Sequence, residues 1–128
     1  MIEGGLYQYL ITQLADQVST RVYPGPLPSK PTLPAVTFSR ESTDDTLTHD
    51  GGETDFVGAT MQVDAWGVDY QAATSLYDRV HEALRNYRGY MGPVLVHGIF
   101  RQQMGDFYEQ DVPGYRRSAF YLIWHKET

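Results

Sequence analysis

Residues 56–84 read FVGATMQVDAWGVDYQAATSLYDRVHEAL, and two hydrophobic periods meet inside that stretch. From Phe56 to Trp66 the residues Val57, Ala59, Met61, Val63 and Ala65 share one face while Thr60, Gln62, Asp64 and Trp66 share the other. That is the period-two pattern of a strand with one side buried. After Gly67 the period changes. Asp69 has the side chain of an N-cap, able to accept from an orphan N–H of the first turn. Beyond it Ala72, Ala73, Leu76, Tyr77, Val80, Leu84 and Tyr87 form the stripe of an amphipathic helix, with Gly89 placed to close it as a left-handed C-terminal cap.

Working outward toward the N-terminus, Leu6, Leu10, Leu14 and Val18 recur every four positions between Leu6 and Thr20, and Tyr7 and Ile11 widen the stripe into a second amphipathic helix. Arg21, Val22 and Tyr23 then turn extended. Residues 24–34, PGPLPSKPTLP, hold five of the chain's seven prolines, a run that neither a helix nor an interior strand accepts, because each proline lacks an N–H and restricts the residue before it. Ala35 to Arg40 alternates as a half-buried strand with Val36 and Phe38 on one face. Toward the C-terminus, Val94 to Phe100 and Ser118 to Trp124 are two more apolar strands. The turn-rich stretch from Gly105 to Gly114 is expected as the loop of a wide hairpin between them.

The expected fold is α+β, with elements along the chain in the order α-β-β-β-α-β-β. An antiparallel-dominated sheet of about five strands carries both helices on one face, since no βαβ alternation calls for a parallel sheet. Residues 1–128 read as a single domain, a length at which one core suffices. A polar, mobile loop is expected over residues 43–55. With no Cys there is neither a disulfide framework nor a thiolate metal site, and no stretch approaches the roughly 18 apolar residues of a membrane span. A soluble protein made inside a cell, without a membrane role, is the expectation.

Ten basic against sixteen acidic residues give a net charge of −6, which argues against a grip on nucleic acid, where clustered Lys and Arg must release counterions. Only Arg116 and Arg117 are adjacent cations. The acids are less evenly spread. Asp44, Asp45, Asp50, Glu53 and Asp55 fall within twelve residues that contain no Lys or Arg. A calcium loop wants acids at alternate positions, a central Gly and a closing Glu, and here the spacing is irregular. The run reads as a solvated loop, as an electronegative surface, or, least well, as a metal site.

No set of residues carries a recognisable chemistry. His49, His81, His97 and His125 lack the short spacings of zinc ligands, and there is no phosphate loop, dinucleotide fingerprint or nucleophile elbow. No catalytic residue, metal or cofactor is expected. Tyrosines are dense, and Tyr is equally suited to the rim of a core and to an interface. The adjacent pair Phe107-Tyr108, with Glu109 and Asp111, is the expected docking loop, since paired aromatics in the open otherwise cost solubility.

Four stretches together carry a resemblance: LYQYLITQL at 6–14, RVYPGPLPSKPTLPAVTFS at 21–39, MQVDAWGVDYQAATSLYDRVHEAL at 61–84 and YRRSAFYLIWH at 115–125. They resemble the tail completion, or tail terminator, proteins of long-tailed bacteriophages. The resemblance implies a non-enzymatic virion protein, assembled in the host bacterial cytoplasm and placed at the head-facing end of the tail. It implies a ring, commonly of six subunits, that ends the tail tube and joins it to the head connector. Its partners would be itself, the tail tube protein and the connector, with DNA passing through without specific binding. The other reading of the same cues is a small non-enzymatic adaptor that uses a sheet edge and loops on a cellular partner.

Overall fold

The computed structural model describes residues 2–28, 31–44, 56–109 and 114–126, with the side chains of Asp44, Phe56 and Glu109 left aside. These residues form two helices and six strands: α1 (Ile2–Val18), β1 (Val22–Pro24), β2 (Ala35–Asp44), β3 (Phe56–Gly67), α2 (Tyr70–Leu84), β4 (Gly89–Met91), β5 (Val94–Glu109) and β6 (Gly114–Lys126). One mixed sheet runs in the order β1-β2-β3-β6-β5-β4. Only the β1–β2 pair is parallel, and every other pairing is antiparallel. The chain is therefore α+β as expected, with one strand more than the sequence pattern suggested.

The alternation read in β3 sorts the two faces of the sheet. Ala59, Met61, Val63 and Ala65 join Val36 and Phe38 of β2, Ala119, Tyr121 and Ile123 of β6, and Val96 and Ile99 of β5 in a single core. Leu6, Leu10, Leu14 and Val18 of α1 and Leu76, Tyr77, Val80 and Leu84 of α2 close the same core, so both helices cover one face. Burying each such side chain fully stabilises by about 1.5–3 kcal/mol. The opposite face carries Thr60, Gln62, Asp64 and Trp66 of β3 and has no helix over it among the described residues.

The helices differ from their sequence outlines at their ends. Asp69 caps α2 as expected, accepting from the Ala72 N–H at 2.7 Å. The helix stops earlier than Gly89, at Leu84: the C-cap Arg85 is already extended, and Asn86 after it takes the left-handed conformation at φ 57°. Gly89 lies in β4 instead, and Tyr87 leaves the helical stripe to pack on Tyr9 with ring centroids 4.6 Å apart. Helix α1 begins at Ile2, ahead of Leu6, and takes in Gly4 and Gly5. A Cβ on Gly5 would stand 2.2 Å from the Met91 carbonyl oxygen. The bare glycine lets the helix backbone lie directly on β4, and that contact outweighs the poor helix propensity of Gly.

Two stretches expected as loops are partly strand, and one short strand had no counterpart in the pattern. β2 continues through Glu41, Ser42 and Thr43 to Asp44, with a bulge between Arg40 and Ser42. β5 runs on from Phe100 to Glu109, so Gly105 to Glu109 belong to a strand and not to a hairpin loop. Tyr90 sits in β4, too short at three residues to show a period. No helix among the described residues is long and apolar enough to cross a membrane.

Candidate assembly surface

The far half of the β5–β6 hairpin is held by two arginines that the strand period sends to opposite faces. Arg117 pairs in register with Asp106, on the face that the helices cover. Its guanidinium makes a bidentate contact, Nε to Oδ1 at 2.6 Å and Nη2 to Oδ2 at 3.0 Å. Tyr70, the first residue of α2, donates its hydroxyl to the same carboxylate at 3.1 Å and accepts from Arg117 Nη2. Hydrogen bonds from Arg117 hold the Asp106 carboxyl below the usual carboxylate range, so the pair stays charged at neutral pH. The consequence is mechanical. The planar fork fixes the two hairpin strands in orientation as well as distance, and the Tyr70 hydroxyl ties them to the N-terminus of α2.

Arg116 points to the open face. Its guanidinium carbon lies 4.5 Å from the Phe107 ring centroid and 5.6 Å from that of Trp66, and Nη1 reaches Asp64 Oδ2 at 3.2 Å. Gln62 donates to Asp64 at 3.2 Å and lies within 3.2 Å of Ser118 Oγ, while Trp66 Nε1 donates to Thr37 at 3.0 Å. Each buried polar group on this side finds a partner, as burial demands. The one pair of adjacent cations in the sequence thus builds no joint basic patch: each arginine is matched by a carboxylate on its own face.

Phe107 and Tyr108, expected at a loop tip, stand on β5 and are 48% and 52% exposed. Phe107 lies against Arg116, and Tyr108 lies against Tyr115 with centroids 4.9 Å apart. Phe107 stands on the open face, where exposed Phe100 and half-buried Phe120, Leu122 and Trp124 extend its apolar surface, while Tyr108 and Tyr115 stand on the other face. A groove of about 290 Å³ opens between Phe107, Arg116, Gln103 and Phe120. Glu109 ends β5, and its side chain lies outside the described residues, as does Asp111. Of the acidic run, Asp44 ends β2, and Asp45, Asp50, Glu53 and Asp55 lie outside the described residues.

A third cluster sits under the sheet. Tyr77 and Tyr121 hydroxyls meet at 2.7 Å, His81 Nδ1 lies 2.9 Å from the Tyr121 hydroxyl, and Arg101 donates to Tyr77 at 3.1 Å. Burial, then the charge of Arg101, pushes the His81 imidazole below its ordinary value, and burial pushes the Tyr121 phenol up. A phenol so poor at losing its proton, with its bonds spent on neighbours, braces α2 against β6. Among the described residues no group of three or more His, Cys, Asp or Glu is placed to hold a metal ion.

Comparison with known proteins settles what kind of molecule presents this surface. A family model described as tail completion protein gp17 matches residues 6–126. The chain belongs to the tail completion protein gp17 family. It is a structural component of a phage virion tail, and the match spans α1 through β6, including the hairpin. A chain in the virion of a native gene transfer agent (GTA) particle has the same fold, with a TM-score of 0.76 at 15% identity over 95% of this chain and 92% of that one. No curated protein sequence matches the chain. The arginine pair that organises the hairpin was visible in the sequence only as YRR; its division between two faces follows from the period of β6.

Proposed function

We propose that the chain forms a ring of about six copies at the head-facing end of a phage tail, where it ends growth of the tube and presents the surface on which the head connector docks. The family match over residues 6–126 carries this reading. In it the chain is not an enzyme. Its partners are further copies of itself, the tail tube protein and the connector, and it assembles in the host cytoplasm.

Within the ring, Asp44, Asp45, Asp50, Glu53 and Asp55 face the channel. Twelve residues without a cation, repeated around a lumen, repel DNA phosphates within about a Debye length of ~8–10 Å and keep the genome from adhering. Phe107 and Tyr108, with Glu109 and Asp111, meet the connector. The aromatic pair is half exposed yet rigidly backed by Arg116 and Tyr115, the combination of apolar area and low ordering cost that interfaces favour.

Electron microscopy of a lysate whose particles lack this protein tests the reading. Separate filled heads beside tails of abnormal length are expected, and normally joined particles would sink it.

A further inference from the structure

Among the described residues the sheet has two edge stretches with no strand beside them, and they run in opposite directions. On one side β4 pairs only with Val94, Leu95 and Val96 of β5, so among the described residues nothing pairs with the outer edge of β5 from Gly98 to Glu109. Bulges between Val96 and Gly98 and between Arg101 and Gln103 twist the upper part of this edge, a common guard against stray pairing. Below the second bulge the guard ends. Gln103-Met104-Gly105-Asp106-Phe107-Tyr108-Glu109 contains no Lys, Pro or bulge, Asp106 is turned inward to Arg117, and Met104, Phe107 and Tyr108 are exposed.

On the other side β1 covers only Val36, Thr37 and Phe38 of β2. Pro24 ends β1, and the Gly25 N–H closes on the Phe38 carbonyl at 2.8 Å. Among the described residues no strand lies beside the outer edge of β2 from Ser39 to Asp44, an edge that bulges once, between Arg40 and Ser42.

Three antiparallel steps, β2 to β3 to β6 to β5, set β2 and β5 in opposite directions. A second copy placed beside the first therefore brings its β2 antiparallel to the first copy's β5, and the alternation of the sheet continues across the boundary. Resting on the ring reading above, we propose that copies join edge to edge, the β5 stretch Gln103–Glu109 of one pairing antiparallel with the β2 stretch Ser39–Asp44 of the next. The occupant of each edge is a second copy of this chain. Because the two edges differ, the contact is heterologous, and every copy keeps one edge open for the next until the ring closes. A two-fold contact of β5 with β5 would stop at two copies. The backbone ladder supplies the affinity, as in strand addition generally.

The chain has no cysteine, so introduced thiols report without background. In particles, Ser42→Cys and Ser39→Cys on β2 are each combined with Gln103→Cys, Gly105→Cys or Phe107→Cys on β5 and oxidised. A ladder of covalent oligomers beyond the dimer is expected from double variants and none from single ones. Moving the β2 thiol from position 42 to 39 should move the best β5 partner to a higher residue number. A shift to a lower number means parallel pairing and overturns the proposal, and so do dimers from a single β5 variant.

Amide hydrogen exchange needs no substitution: the outward-facing amides of residues 103–108 and 39–44, those that do not donate to β6 or β3, should exchange readily in the isolated chain and be protected in particles. Unchanged exchange and no cross-links, in particles whose micrographs show the ring, overturn this contact and leave the ring standing. Micrographs without a ring refute the functional reading, and this contact falls with it.

Discussion

The two faces of the sheet are made from alternate residues of the same strands and have opposite characters. Under the helices, Met61, Val63, Ala119, Tyr121 and Ile123 are all buried. One residue along, on the open face, Asp64 and Ser118 are buried polar groups, Phe120, Leu122 and Trp124 are half-buried, and Phe100 and Phe107 are exposed. The covered face is what makes the chain fold. The open face adds polar contacts such as Arg116–Asp64 and Trp66–Thr37 but leaves Phe100 and Phe107 exposed, and exposed apolar area and open edges are features of surfaces that meet other molecules.

The largest effect should come from the covered face. Leu10→Ala removes a side chain with no solvent exposure and should lower stability by about 2–5 kcal/mol in chemical denaturation. Leu122→Ala, on the open face, should cost less than half as much, and equal losses would break the distinction. Next comes Arg116→Ala, which takes the charge partner from buried Asp64 and should cost about 1–3 kcal/mol. Tyr121→Phe deletes the hydroxyl shared by Tyr77 and His81, with an expected loss of about 1 kcal/mol and near-wild-type assembly. Replacing Phe107 and Tyr108 with Ser should change stability least, within about 1 kcal/mol. The same double variant should fail to join heads to tails, and undiminished joining would remove the hairpin as the docking contact.

Acid sharpens the comparison further. His81 on the covered face has its folded-state value pushed below the ordinary 6.5. The unfolded chain therefore takes up the proton first, and stability should fall as pH drops below about 6.5. Asp106 is shifted below the ordinary 3.8, so its contribution is present above that pH and is lost as acid carries the folded carboxyl through its lowered value. His81→Gln should abolish the first decline in a pH series of unfolding midpoints and leave the second.

Where a layer covers an element, its pattern was legible. β3 and α2 each have one buried face, so period two, period 3.6 and the Asp69 cap could all be read directly. The same argument explains what was not legible. β5 beyond Phe100 reads RQQMGDFYE, without apolar alternation, because on the helix side Arg101 and Asp106 make polar contacts with Tyr77 and Tyr70 of α2, while Met104, Phe107 and Tyr108 are exposed. β4 has three residues, and Gly5 looks like a helix breaker until the Met91 carbonyl beside it is known. The pair Phe107-Tyr108 was visible as adjacent aromatics, but its support from Arg116 and Tyr115 depends on register, which no local pattern encodes.

Reconstruction of the head-proximal end of the tail by electron microscopy tests the central claim most directly. The account predicts a closed ring of this chain in which the β5 and β2 edges and the Phe107-Tyr108 hairpin are buried against neighbours. A ring end built without this chain, or one in which those edges and the hairpin stand in solvent while the helices make the contacts, would contradict it.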